Sequence, residues 1–328
     1  MQRIKIQTIL VTGGAGYIGS FTVDKLIERG FNVVIVDNLS SGNKRNINKK
    51  AEFQELDILN KEALERVFSE FNVDAVVHFA GKIEVEESMY DPKKYFDNNI
   101  IGGLNILEAM RKNNVKNIVF SSSAAVYGIP NKKKVSEEAE TQPINFYGQT
   151  KLWFEEMLKW YGKIYEIKSV CLRYFNAAGA AIDGSRGEIR ERETHVIPIL
   201  FDKIRKQQTF SIFGDDYPTR DGTCVRDYIH VLDLADAHIQ ALSYLEKNNQ
   251  SNVFNVGTSS GISVKELIEQ AQKVVGQATK IQIAPRRPGD PPFLVADNTK
   301  ITQTLNWKPK YSSVSVILES AWKWMNKK

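Results

Sequence analysis

Cysteine is almost absent: Cys171 and Cys224 are the only two in 328 residues. They lie too far apart for a Cys-x-x-Cys metal or redox spacing and are too few for a disulfide framework. They read as buried thiols of a protein kept in a reducing compartment. Long apolar runs are missing too, none approaching the ~18 residues of a membrane span. Met1-Gln2-Arg3-Ile4-Lys5-Ile6 runs straight into a structured motif, without the apolar stretch of a cleavable signal. A cytoplasmic protein without membrane association is expected. Charge of one sign is scarce as well: 44 Lys plus Arg against 39 Asp plus Glu leaves +5, and Lys132-Lys133-Lys134 is the densest basic block. A nucleic-acid binder concentrates its charge more than this. What is present, 42% hydrophobic and 25% charged residues, can bury a core. At roughly 150 residues per domain, the length suits one large α/β unit or two modest ones sharing a core.

Short β-branched runs alternate with segments of helical period, the pattern of βαβ units around a parallel sheet. Ile9–Thr12, Val33–Val36, Ala75–Phe79, Ile118–Phe120 and Ser169–Leu172 are continuous apolar stretches, as strands covered on both faces should be. Between them helices are predicted near 17–29, 61–70, 92–113 and 146–161, the first ending at Gly30, a helix C-terminal glycine. From about 179 the rhythm breaks, with Gly, Pro and charged residues frequent through residue 230. Helical and strand patterns resume at Leu232–Leu245, Val253–Val256 and Val264–Val275. The predicted fold is α/β: a doubly wound, Rossmann-type parallel sheet over 1–178, with contributions from about 230–258, and a smaller substrate-binding lobe made mainly by 179–328.

Thr12-Gly13-Gly14-Ala15-Gly16-Tyr17-Ile18-Gly19 follows the first strand and opens the first helix. Gly13 permits a tight turn, Gly16 lets backbone approach a pyrophosphate, and Gly19 allows close helix packing, while free amides and the helix dipole hold the anion. A bare glycine cluster is usually only a turn; here the strand before and helix after supply the context. Asp37 ends the second strand, where a carboxylate accepts ribose hydroxyls and repels a 2′-phosphate. NAD is therefore favoured over NADP.

Tyr147 and Lys151 share one face of a predicted helix, which carries the ammonium toward the phenol. The same spacing recurs at Tyr90 and Lys94, so context decides. The first pair follows a strand ending in Ser121-Ser122-Ser123, and doubly wound sheets bind ligands at strand ends; Tyr90 merely precedes the helix start Asp91-Pro92. A phenol titrates near pH 10 and is a poor base at neutrality unless positive charge favours the phenolate. Lys151 supplies such charge, and Ser123 could share the proton of the same substrate oxygen. Such a set beside an NAD loop suits taking a proton from an alcohol while hydride leaves carbon; a surface Tyr–Lys pair with a loop serine is the bland alternative.

With these features in place the chain resembles the extended short-chain dehydrogenase/reductase superfamily and, within it, the UDP-glucose 4-epimerase (UDP-galactose 4-epimerase) family. Gly13-to-Ser20, Val36–Leu39, His78–Gly81, Asp97–Asn99, Phe120-to-Gly128, Tyr147-Gly148, Arg173–Asn176, Phe213–Tyr217 and Val225–His230 match its pattern in order. The resemblance implies a retained NAD, with contacts at Gly13, Gly16, Tyr17, Ile18, Gly19, Asp37, Asn38, Asp57, Ile58, Phe79, Ala80, Gly81, Asn98, Tyr147, Lys151 and Tyr174. It implies catalysis by Ser123, Tyr147 and Lys151, and UDP-hexose contacts at Ser123, Asn176, His195, Val196, Phe213, Arg226, Arg287, Asp290 and Leu294. It also implies a homodimer packed through the helices near 92–113 and 146–161. The bland alternatives are that Arg226 pairs with its neighbour Asp227 and that Phe213 is core. The chain departs from the family pattern at Ala125, often Thr; at Ile83, often Lys, with Lys82 adjacent; at Glu86, usually Gly; and in Gly187-Glu188-Ile189-Arg190. Leu294 stands where glucose/galactose-restricted members carry a bulky tyrosine, which implies room for an N-acetyl group at C2. A dehydratase of the same scaffold would need an acid/base pair, commonly Asp-Glu, after Ser123, where this chain has Ala124-Ala125. A non-catalytic NAD-sensing regulator would need no Tyr/Lys pair.

Overall fold

The computed structural model describes residues 6–190, 193–287 and 289–327; Met1–Lys5, on which the reading of the N-terminus rests, lie outside them. The chain forms two compact units, one of 1–128, 141–173 and 235–254, the other of 129–140, 174–234 and 255–328.

The first unit carries β1 (Thr8–Thr12), α1 (Tyr17–Glu28), β2 (Asn32–Asp37), β3 (Glu52–Glu55), α2 (Lys61–Glu70), β4 (Ala75–His78), α3 (Val85–Tyr90), α4 (Pro92–Phe96), α5 (Gly102–Lys112), β5 (Asn117–Ser121), α6 (Phe146–Tyr165) and β6 (Lys168–Tyr174). In the second unit follow β7 (Asn176–Ala178), α7 (Val196–Arg205), β8 (Phe210–Phe213), β9 (Val225–Arg226) and β10 (Tyr228–His230); then α8 (Val231–Asn248) and β11 (Asn252–Val256) bring the chain back to the first. The second unit ends with β12 (Ile262–Ser263), α9 (Val264–Val275), β13 (Ile281–Ala284), β14 (Phe293–Leu294), α10 (Thr299–Leu305) and α11 (Val314–Lys327).

The large sheet has the order β11-β6-β5-β4-β1-β2-β3, and the pairings from β6 through β3 are parallel. Its direction of winding reverses between β1 and β4, which places a ligand crevice beyond the carboxyl ends of those two strands. The apolar runs of the sequence are the central strands, fully buried as sheets covered on both faces require. Leu10, Val76, Ile118, Ile106 and Phe154 join one core. β3, Glu-Phe-Gln-Glu, was not evident from the sequence: it is a short edge strand with charged ends, and such a strand buries too little to leave an apolar run.

Two helices differ instructively from expectation. The helix predicted over 92–113 contains a π-turn at Asp97–Ile101 between α4 and α5, a feature that clusters at functional sites. α6 runs four residues beyond 161 and ends on Glu166 in the left-handed conformation. In the second unit, small sheets β10-β7, β12-β9-β14 and β13-β8 surround a separate core containing Leu200, Phe201, Leu267, Ile268 and Leu318. No described helix is long and apolar enough to cross a membrane.

Candidate active site

The glycine loop is built by contact as much as by conformation. Gly13 has φ +73°, and a Cβ there would lie 2.7 Å from the Ala80 amide nitrogen, beyond the end of β4. A Cβ on Gly19 would come within 2.2 Å of the Gly13 carbonyl oxygen, so the third glycine packs α1 onto the loop itself. Gly16 caps α1 without a side chain, leaving the helix's first amides facing outward. Asp37 is buried; its carboxylate accepts from the Ala15 amide at 3.0 Å and the Leu39 amide at 2.8 Å. Burial pushes its carboxyl above the ordinary value, opposed by those two amides.

Around this loop, Asn38 donates to Asp57 at 2.8 Å, Ile58 is buried against Gly102, and Phe79 packs on His238 with ring centroids 4.6 Å apart. Tyr17 meets Phe21 edge to face, and Ile18 is half-buried beside it. On the π-turn, Asn98 Oδ1 is buried and has no hydrogen-bond partner. A tight glycine cradle, outward amides, a carboxylate at the end of β2 and this unsatisfied acceptor together fit a dinucleotide. Asn99, which sequence reasoning did not assign, accepts from the Lys82 amide at 2.8 Å and donates to Thr150 at 3.0 Å. Thr150 in turn donates to the Tyr147 carbonyl at 2.8 Å, so Asn99 ties the loop after β4 to α6.

α6 begins at Asn145, whose side chain accepts from the Gly148 amide, and the next turn presents Tyr147 and Lys151 inward. Both are buried. Lys151 Nζ lies 5.8 Å from the Tyr147 ring centroid and 4.9 Å from that of Phe120, and donates to the Ser121 carbonyl at 2.8 Å. Burial lowers its ammonium to about 8, with Glu155 acting in the opposite sense. Ser123 caps the 3-10 turn Ala124–Tyr127 and accepts from the Ala125 amide at 3.1 Å, which leaves its hydroxyl proton to donate elsewhere. The rival pair is set up differently: Tyr90 is 81% exposed and Lys94 bonds to Glu87 at 2.6 Å. A titratable phenol beside a buried ammonium at a strand end is an arrangement for moving a proton.

In the second unit the candidate nucleotide-sugar residues fall into three groups. β9 places Arg226 in register with Leu294 of β14. The Arg226 guanidinium donates to Asp290 at 2.9 Å, to the Pro291 carbonyl at 2.8 Å and to the Val225 carbonyl at 3.0 Å. It therefore pairs with the distant Asp290 and not with Asp227. The Asp227 carboxylate is buried and takes the Thr258 amide and hydroxyl and the Ser259 and Ala296 amides, while its carbonyl receives the Asn176 side-chain amide at 2.9 Å. Phe213 is 36% exposed and is capped by the Arg287 guanidinium, 3.9 Å from the ring centroid; it is not core. His195 caps α7, with Val196 the first helical residue. Its Nδ1 lies 2.9 Å from Glu188 Oε2 and its Nε2 3.3 Å from Arg190. The departure at 187–190 thus produces a linked Glu188–Arg190–His195 group. Tyr174 closes β6, half-buried.

The sequence matches the NAD dependent epimerase/dehydratase family over residues 9–257. It is 48% identical over 318 residues to the UDP-glucose 4-epimerase of Lacticaseibacillus casei, covering 97% of this chain and 96% of that one. The crystal structure of UDP-glucose 4-epimerase from Brucella ovis in complex with NAD superposes with a TM-score of 0.93 at 40% identity, covering 96% of this chain and 97% of that one. The UDP-Glc/GlcNAc 4-epimerase of Campylobacter jejuni gives a TM-score of 0.87 at 41% identity, covering 98% of this chain and 100% of that one. With nearly full-length identity of this order and the same Rossmann-type sheet, the chain belongs to the UDP-glucose 4-epimerases of the NAD dependent epimerase/dehydratase family.

Proposed function

We propose that the protein interconverts UDP-glucose and UDP-galactose, using a retained NAD. The observation that carries the reading is the buried Lys151 ammonium beneath Tyr147, beside the serine that ends β5, in a chain of this family. The first unit holds the dinucleotide: the amides around Gly13, Gly16 and Gly19 take the pyrophosphate, Asp37 and Asn38 the adenosine ribose, and Asn98 a further polar group; Tyr174, the last residue of β6, takes another. NAD, when bound, supplies the chemistry of accepting hydride from sugar C4 and returning it. Tyr147 takes the proton of the 4-hydroxyl; the Lys151 charge makes the phenolate accessible near neutrality, and Ser123 donates to the same oxygen.

The second unit grips the nucleotide. Arg226 and Arg287 clamp phosphates, Phe213 offers a ring face to uracil, Asn176 and Asp290 reach the diphosphate and ribose, and His195 and Val196 border the nucleotide. A firm hold on UDP with a loose hold on the hexose lets the oxidised sugar present its other face. Turnover of UDP-galactose without added NAD tests this. Reversible formation of UDP-glucose is expected; water loss would indicate a dehydratase, which Ala124-Ala125 disfavours, and absence of any turnover would overturn the reading.

A wider substrate range is favoured by Leu294, half-buried and in register with Arg226. A leucine fills less volume than the tyrosine of restricted members and leaves room for an N-acetyl group. kcat/KM for UDP-GlcNAc and UDP-GalNAc within about tenfold of the plain sugars is expected; no detectable turnover of the acetylated pair rejects this wider range. We further propose a homodimer through the α4–π-turn–α5 stretch and α6, on the grounds that Phe96 on α4, Ile101 on the π-turn and Trp160 and Ile164 on α6 leave apolar surface exposed, and a reducing, cytoplasmic setting, which two free buried cysteines suit.

A further inference from the structure

We propose that Glu155 is a positioning residue for the Tyr147–Lys151–Ser123 set, an inference that rests on the role assigned to that set above. Glu155 lies one helical turn beyond Lys151 on the inward face of α6, and its side chain is fully covered. Its carboxylate receives three hydrogen bonds: Ser122 Oγ at 2.5 Å, Arg173 Nε at 2.9 Å and Arg173 Nη2 at 2.5 Å. Arg173, from β6, also donates to the Tyr127 hydroxyl at 3.0 Å, and its guanidinium sits 4.9 Å from that ring's centroid. Ser122 immediately precedes Ser123, and Tyr127 ends the short turn that Ser123 caps. The helix carrying the phenol and the ammonium therefore holds the serine turn at both ends through one carboxylate and its arginine.

Stability alone does not account for this. Desolvating two charges offsets most of their attraction, and apolar residues of similar volume usually stabilise a core as well or better. What a doubly bonded ion pair, with a third bond from Ser122 and a fourth to Tyr127, provides is directional geometry, in which reacting groups tolerate little displacement. It also provides charge. Lys151 faces Tyr147 and Glu155 from its own helix, His78 from β4, held neutral with its imidazole lowered to about 3 by burial and Lys151, and the Phe120 ring and Ser121 carbonyl from β5. Among the described residues, Glu155 is the carboxylate acting on that ammonium.

The test uses the NAD-loaded full chain, with kcat and KM for UDP-galactose measured from about pH 6 to 10, NAD content, and melting temperature. E155Q is expected to lower kcat by at least ~10-fold with KM within about threefold. It should also move the alkaline fall in kcat down by about one pH unit, because Lys151 loses its counter-charge. Phenolate absorbance, read against Y147F, should appear at higher pH in E155Q. E155D, which keeps the charge, should hold the alkaline limb in its parental place. Should E155Q not fold because Arg173 is left buried and alone, E155Q/R173Q removes both charges and should show the same displacement. S122A spares the ion pair and is expected to lower kcat about fivefold with KM and the limb unmoved. Parental kcat and pH limb in folded E155Q or E155Q/R173Q, or parental kcat in S122A, would overturn the inference. An active Y147F would instead remove the reading on which it rests.

Discussion

Lys151 is a cation inside a core, and the cost of keeping it there is measurable. Its ammonium is lowered from 10.5 to about 8 by burial, so the unfolded chain binds this proton more tightly between those values. The penalty is complete below about pH 8 and fades as pH rises toward 10.5, amounting to about 3 kcal/mol at neutrality. K151M should therefore be more stable than the parent near pH 7, by up to that amount in urea unfolding, while losing about 10²- to 10⁴-fold in kcat. Y147F should lose activity to a similar degree and keep its NAD. In the parent, kcat should fall as pH passes about 8, since the deprotonated lysine no longer favours the phenolate. At this scale the pair proposed to react was legible because its spacing sat beside a strand end with three serines, and the structure buries both side chains. Glu155 was not singled out, although a charged residue such as Arg173 inside a strand buried on both faces demands a buried partner. Asn99 fell within a matching segment but received no role, because its partners, the Lys82 backbone and the Thr150 hydroxyl, lie far from it in sequence.

At the scale of elements, the glycine loop works because three segments meet with no room for a Cβ. G19A would drive a methyl group into the Gly13 carbonyl, separating α1 from the loop; the variant is expected to be purified largely free of NAD and to melt several degrees lower. Measuring NAD absorbance after denaturation checks the first part. The helices that cover the large sheet were readable from their 3.6-residue period, and their boundaries fell close to expectation. The elements that escaped notice have particular reasons. β3 is an edge strand with charged ends. α7 begins Val-Ile-Pro behind His195, and a proline tolerated in a first turn reads as a helix breaker when the structure is unknown. The π-turn at Asp97–Ile101 has no periodic signature, since one inserted residue only shifts the phase of an otherwise helical pattern.

For the whole molecule, the buried His78 and His230 contribute to the response to acid. His78 in the first unit is lowered to about 3 and His230 in the second to about 4, both by burial. Below about pH 6.5 the unfolded chain binds these protons and the folded chain does not, so stability present above that pH is lost as pH falls, by about 1.4 kcal/mol per unit for each histidine. Melting temperature should drop steeply from pH 6.5 to 5, and H78N or H230N should flatten the drop. Assembly is open to the same kind of test. Trp160 and Ile164 on α6 are 60% and 61% exposed in the single chain; W160E/I164E is expected to convert a dimer to monomers in light scattering, with the fold retained.

The sequence by itself determined what depends on neighbours along the chain: the alternation that makes a parallel α/β sheet, the glycine turn between a strand and a helix, and a tyrosine and lysine one turn apart. Each is a short-range pattern with a fixed period, so the residues carry it without help from the rest of the molecule. The tertiary structure alone decided the long-range partners. Arg226 took Asp290 over the aspartate beside it, Phe213 met Arg287 instead of the core, and Glu155 reached Ser122 and Arg173. A hydrogen bond or ion pair depends on distances of about 3 Å, and which groups come that close is settled only when strands and helices far apart in sequence have been packed against one another.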